Sequence, residues 1–240
     1  TRPSREFIIS KELGGALVLP LPHSLDDLPG LGDPISVGLK GLEELLGGGI
    51  PRGSVTTIVG GTGAGKRELA AAISAEVANR GGRVLVLSFD LPRSDVEALL
   101  KRFGLRPDRR GLVTVRSWEA SSIVVMDQLA GIMMAVFEAR PEFIVILGYD
   151  SLERSVGRPA ALGVVRHWFY RARSRGAVML VVGRSNRLEE FVEVCAPFSD
   201  TIIRLITSRE NGNPEEGGKG LQVGEPRGGE QVRQPDRRGR

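Results

Sequence analysis

The stretch from Val55 to Ala70, VTTIVGGTGAGKRELA, decides how this chain is read. It opens as an apolar run, passes through a glycine-rich turn, and continues with Leu69, Ala70, Ala71, Ile73 and Val77 at helical spacing. That order is strand, loop, helix. Gly60, Gly65 and Lys66 fit the pattern G-x-x-x-x-G-K, in which glycines let backbone N–H groups turn inward around phosphate oxygens and the lysine ammonium reaches the terminal phosphates. The candidate nucleotide-binding residues are therefore Gly60, Gly61, Thr62, Gly63, Ala64, Gly65, Lys66 and Arg67. The last of these breaks the pattern. A serine or threonine hydroxyl there would ligand the magnesium of a bound nucleotide, whereas Arg67 is a fixed cation that cannot coordinate a metal. It either donates to a phosphate itself or folds over the cradle and fills it.

Composition narrows the classes. The chain has 240 residues, 41% of them hydrophobic, which suits one ordinary domain with a tail and a sizeable core. No apolar run approaches the roughly 20 residues that span a bilayer, and the opening TRPSREFIIS lacks the apolar segment of a secretory signal. No membrane association and cytoplasmic residence are the expectations. The single cysteine, Cys195, excludes an internal disulfide and a cysteine metal cluster, and His23 and His167 lie far apart. A formal charge of +4 permits contact with DNA without establishing it.

The rest of the chain extends the strand–loop–helix reading. Residues 1–35 contain two short apolar runs, Phe7 to Ile9 and Ala16 to Leu19, followed by several prolines, and read as an extension with edge strands. From Ser36 strands alternate with helices. Strands are expected over Val55 to Val59, Val84 to Phe89, Leu112 to Val115, Phe143 to Leu147, Val178 to Val182 and Thr201 to Ile206. Helices are expected over Glu68 to Asn79, Ser94 to Phe103, Ser122 to Ala139 and Ala160 to Arg173. The strands are mostly continuous apolar runs, as buried parallel strands should be. Residues 36–208 thus form the nucleotide-binding domain, and residues 209–240, rich in Gly, Pro, Glu, Gln and Arg, read as a disordered tail.

Upstream of the glycine loop, SVGLKGLEELLGGGIPRGSVTTIVGGTGAGK closely resembles the opening of KaiC-like and RadA-like members of the RecA superfamily. Glu43 stands where that family usually has aspartate. The resemblance continues more loosely through RVLVLSFDLPRSDVEALLKRFG and the DSL at Asp150 to Leu152. It implies an α/β fold: a RecA-type P-loop core whose central, mostly parallel sheet is flanked by helices, with ATP or ADP at the strand C-terminal ends. It also implies assembly of like chains into a ring or filament, and ATP hydrolysis.

Besides Arg67, two positions depart from the family pattern. Where the family carries two adjacent glutamates that activate the attacking water, this chain has Asp90 and Leu91; Asp90 remains a candidate catalytic base, and leucine cannot replace a carboxylate. Where an apolar strand should end in the aspartate that holds the magnesium water shell, FIVIL is followed by Gly148, Tyr149 and Asp150. The DSL triplet favours Asp150 as the metal residue on a bulged or lengthened strand, while counting from Pro141 puts Leu147 there. Whether magnesium is used at all is left open.

Other features have ordinary readings. In RHWFYRARSR, Val165, Trp168, Phe169 and Ala172 share one helical face and point to the core. Arg166, Tyr170 and Arg173 form an outer stripe. Arg184, Ser185 and Asn186, after the strand ending at Val182, are candidates for a γ-phosphate sensor or a surface turn. Three functions follow from the whole. The first is an ATP-binding protein with weak or absent ATPase, acting as a nucleotide-responsive oligomer or scaffold. The second is an active ATPase, a recombinase paralogue working on DNA, and the third is a structural partner subunit without nucleotide.

Overall fold

The computed structural model describes residues 6–10, 15–19, 30–118, 139–161, 177–182, 199–207 and 219–224. Two antiparallel ribbons precede the central sheet. Strands β1 (Glu6–Ser10) and β2 (Gly15–Leu19) pair with each other, Phe7 opposite Val18. Strand β3 (Gly32–Ile35) pairs with β4 (Ile50–Arg52), and the short helix α1 (Lys40–Leu45) lies between them in sequence.

Glu43 on α1 fastens this segment. Its Oε1 accepts from the Ser36 hydroxyl and from the amides of Val37 at 2.9 Å and Gly38 at 3.1 Å. The carboxylate that stands in the family's aspartate position is therefore a brace that ties the entry of the domain to α1. The Ser36 hydroxyl first, then the Gly38 and Val37 amides, hold its pKa below the ordinary carboxylate value, because all three bonds favour the charged form. A carboxyl whose folded pKa is depressed contributes stability above its unfolded pKa and loses it as pH falls through the folded one. Glu43→Gln should accordingly lower the melting temperature at neutral pH. The gap from the wild type should close on acidification through that lowered pKa, as followed by thermal unfolding across pH.

The central sheet has seven strands in the order β11-β10-β5-β9-β8-β6-β7. They are β5 (Val55–Gly60), β6 (Val84–Ser88), β7 (Val113–Ser117), β8 (Phe143–Leu147), β9 (Val178–Val182), β10 (Thr201–Thr207) and β11 (Lys219–Gly224). All neighbours are parallel except β10 and β11. The α/β class and the parallel sheet expected from the sequence are what the chain forms. All of β5, β6 and β8 is buried, which explains why these segments read as mostly apolar runs rather than as polar and apolar residues in alternation.

Helix α2 (Lys66–Asn79) follows β5, and α3 (Arg93–Arg102) follows β6. The buried face of α2 is made of Ala70, Ala71, Ala75 and Ala78 with Ile73 and Val77. Four methyl-sized side chains let its axis lie close over the sheet. Ile73, at 0% exposure, supplies the larger apolar contact, of the order that stabilises by about 1.5 to 3 kcal/mol per buried side chain. α2 ends where Gly81 and Gly82 close its last turn, with Gly82 N–H donating to the Val77 carbonyl at 2.9 Å.

The start of β10 is seated on β5 by Asp200. Its carboxylate accepts from the Val55 amide at 2.9 Å, and its own amide donates to the Val55 carbonyl at 2.8 Å. Behind it the hydroxyls of Thr57 and Ser199 bond at 2.5 Å, which satisfies two polar groups inside the core.

Three features differ from the sequence reading. Strand β8 ends at Leu147, with no lengthening toward Asp150, and a further helix α4 (Tyr149–Val156) begins at once. Within the stretch read as a disordered tail, Lys219–Gly224 forms β11, where Leu221 and Val223 alternate with Gln222 and pair against Leu205, Ile203 and Arg204. A strand with so little hydrophobic content holds because β10 offers it a ladder. The helices expected over 122–139 and 160–173 lie outside the described residues except at Ala139, Ala160 and Ala161, and so do Cys195, His23, His167 and the basic outer stripe. Among the described residues no helix is long and apolar enough to cross a membrane.

Candidate phosphate site

The parallel strands deliver their C-terminal ends to one edge, and the candidate residues gather there. β5 runs out at Gly60, the loop Gly61 to Gly65 follows, and α2 starts at Lys66. Gly65 is the N-cap at φ 91°, a left-handed conformation that a residue with a Cβ adopts only at a cost. Ala64 N–H donates to the Gly61 carbonyl at 3.2 Å and Leu69 N–H to the Gly65 carbonyl at 2.9 Å, so the loop is a closed turn feeding directly into the helix. Thr62 and Gly63 form its exposed crest, while Ala64 is buried. The first amides of α2 lack intrahelical partners and carry the positive end of the helix dipole, which favours an anion.

Lys66 is only 7% exposed. Its Nζ donates to the carbonyls of Gly60 and Gly61, both at 2.7 Å. The ammonium thus sits within the loop, held by the backbone that precedes it. A buried lysine is stable there because those carbonyls replace water.

Arg67 is the second residue of α2, and its Nη2 donates to Asp90 Oδ2 at 2.5 Å. The pair joins two strand ends. Asp90 sits just past β6 in a turn fixed by Ser88, whose hydroxyl accepts from the Leu91 amide at 3.0 Å and donates to the Leu91 carbonyl at 2.8 Å. Phe89 N–H bonds the Leu147 carbonyl at 2.9 Å, stitching this turn to the end of β8. The Asp90 side chain is 7% exposed and that of Arg67 28%. Asp90 Oδ1 is buried with no hydrogen-bond partner among the described residues. A cation in the first turn of a helix opposes the dipole, so Arg67 needs an anion beside it, and in this arrangement Asp90 is that anion.

Asp150 goes elsewhere. It lies in the first turn of α4, and Arg154 on the next turn bonds its Oδ2 at 3.1 Å. The strand-end position that borders the loop edge is taken by Leu147, buried at 3% exposure. Gly148 between them has φ 75°, and a Cβ there would stand 2.6 Å from Asp90 Cγ. The structure therefore brings Lys66, Arg67 and Asp90 to one edge and engages Asp150 along its own helix. Arg184, Ser185 and Asn186 lie outside the described residues. The ion pair between positions 67 and 90 went unread in the sequence; the one available signal was that an uncompensated arginine at a helix N-terminus calls for a carboxylate, and Asp90 follows the next strand.

Magnesium, which a P-loop nucleotide site ordinarily carries, does not suit these residues. No cluster of three or more His, Cys, Asp and Glu side chains is placed to hold a metal among the described residues. The position of the ligand hydroxyl is a guanidinium, and that guanidinium is bonded to Asp90.

Residues 35–111 match the family model described as ATPase: KaiC. The chain is 25% identical over 129 residues to the circadian clock oscillator protein KaiC of Acaryochloris marina, covering 52% of this chain and 25% of that protein. It is 28% identical over 125 residues to KaiC of Rippkaea orientalis, covering 51% and 24%. It is 26% identical over 187 residues to the DNA repair protein RadA of Brucella abortus, covering 73% and 37%. The matching part is thus between a quarter and somewhat over a third of each relative's length.

Proposed function

Since the chain carries a KaiC-like P-loop ATPase domain of the RecA superfamily, and is by that likeness an ATP-binding protein, we propose that it hydrolyses ATP weakly or not at all and works as a nucleotide-responsive oligomer or scaffold. Lys66 and the amides from Gly61 to Arg67 take the phosphates. One observation carries the reading: Arg67 and Asp90, standing where the family has a metal ligand and a water-activating carboxylate, are bonded to each other. The ion pair turns Asp90 toward Arg67 as a structural partner, and Leu91 beside it has no carboxylate to offer.

Hydrolysis should therefore be slow. Phosphate release by the full chain with ATP and magnesium should fall well under 1 per second, the lower end of ordinary enzyme turnover at about 1 to 10³ per second. The double change Arg67→Thr with Asp90→Glu should raise it, since it restores the hydroxyl and the longer acid together. The two positions share one transition state and one ion pair, so the single changes should not add. A wild-type rate above 1 per second overturns the reading. In parallel, light scattering with and without ATP tests self-association, which should depend on nucleotide; a strictly monomeric chain in both conditions removes the oligomer.

The match to RadA over 73% of this chain favours a second reading, an active ATPase on DNA. Its mark would be phosphate release that rises when single-stranded DNA is added.

A further inference from the structure

We infer that this site binds nucleotide without a metal ion, with Arg67 as the built-in counter-cation and Asp90 as the group that holds Arg67 in place. The inference rests on the nucleotide-binding reading above and goes beyond it in naming the ionic form of the ligand: the free polyphosphate anion of ATP or ADP rather than its magnesium complex.

Three observations point the same way. Arg67 is in the first turn of α2, directly after the lysine whose Nζ lies within the loop. Among the described residues only its Nη2 is committed, to Asp90 Oδ2; a guanidinium has five N–H donors in a planar fork, so the same side chain can keep Asp90 and still offer donors to phosphate oxygens. The anchor is itself hemmed in. Asp90 is 7% exposed, its turn is closed by Ser88, and Gly148 lies so close that even a methyl group would collide with it. An arginine held this way is pre-organised, so little side-chain freedom is lost when a phosphate arrives.

The same geometry works against magnesium. The ion would need Asp90 free of its guanidinium, and Asp150 is bonded to Arg154 and Leu147 is apolar. A magnesium complex of ATP also carries less negative charge than ATP itself and meets Lys66 and Arg67, two fixed cations, in the loop. Two positive charges plus a divalent ion on one triphosphate repel one another.

The experiment is calorimetric titration of the full chain with ATP, once in EDTA and once in excess magnesium chloride, repeated for Arg67→Ser and Asp90→Asn. The wild type should bind in EDTA with an affinity equal to or better than in magnesium. Arg67→Ser should lose roughly tenfold or more in EDTA, the scale of one charge-assisted phosphate bond, and recover part of it in magnesium because the serine hydroxyl can now ligand the ion. Asp90→Asn keeps the shape beside Arg67 while removing the ion pair that anchors it, and should bind metal-free ATP less tightly than the wild type; a folded Asp90→Asn that binds it equally well overturns the anchoring role. Circular dichroism of each variant confirms that it is folded before titration. Binding by the wild type only in magnesium overturns this inference and leaves nucleotide binding intact. An unchanged affinity of folded Arg67→Ser in EDTA overturns it as well. No heat in either buffer overturns the nucleotide reading on which it rests.

Discussion

Lys66→Ala should weaken ATP binding by about tenfold or more, because each charge-assisted bond to phosphate contributes roughly 1.5 to 3 kcal/mol and every 1.4 kcal/mol is a factor of ten. The structure adds a second reason. Nζ is shared between the carbonyls of Gly60 and Gly61, so the alanine variant also removes the cross-link that holds the loop's first two residues against the start of α2. Lys66→Met keeps the buried stem and removes the charge together with the Nζ hydrogen bonds, so its difference from Lys66→Ala isolates the packing of the stem. Both variants should lose affinity in calorimetry, and the alanine variant should in addition unfold more easily. If both bound ATP as well as the wild type, the loop would not be the phosphate cradle.

Gly148→Ala should damage the fold near the site, destabilising by about 2 to 4 kcal/mol. The left-handed φ of 75° accounts for about 1 to 2 kcal/mol of that in a residue with a Cβ. The remainder arises because the new methyl would stand 2.6 Å from Asp90 Cγ and 2.8 Å from Asp90 Cβ, and Asp90 is backed by a turn that cannot yield. Urea denaturation should show a lower midpoint with an unchanged slope. The function should suffer in parallel, since an Asp90 pushed aside no longer holds Arg67. Gly104→Ala is the control: it has φ 96° but open space around its Cβ, so it should cost only the conformational part.

The parts of this fold that were legible in the sequence are those where a single physical requirement governs a whole segment. Phe143–Leu147 and Val178–Val182 match their expected bounds; Phe143–Leu147 is buried throughout, and a strand covered on both faces must be apolar at every position. The loop from Gly60 to Lys66 was readable because its glycines and lysine serve one geometry. The helix Tyr149–Val156 was missed. Its apolar positions are few, Tyr149 and Leu152 among charged neighbours, and the DSL triplet within it suggested the end of a strand. Its signals were present all the same: a glycine just before it, an acid in the first turn, and Asp150 and Arg154 one turn apart.

The bond between Arg67 and Asp90 could not be read from spacing, because 23 residues and a whole helix separate them. What brings them together is topology: strands that run parallel present all their carboxyl ends on one side. Sequence patterns describe neighbours along the chain, and this contact is between neighbours across the sheet.

The strand β11 changes where the domain ends. The matched family segment closes at residue 111, and the text of the chain turns polar and glycine-rich after Ser208, yet the sheet is completed by Lys219–Gly224 laid antiparallel along β10. β10 in turn is the immediate neighbour of the strand that carries the phosphate loop. A piece cut at residue 208 would carry every recognisable motif and still leave the outer backbone groups of β10 bare, one strand away from Gly60. The described sheet thus extends beyond the segment that the motifs mark out, and its outer strand comes from a stretch whose composition alone gives no reason to keep it.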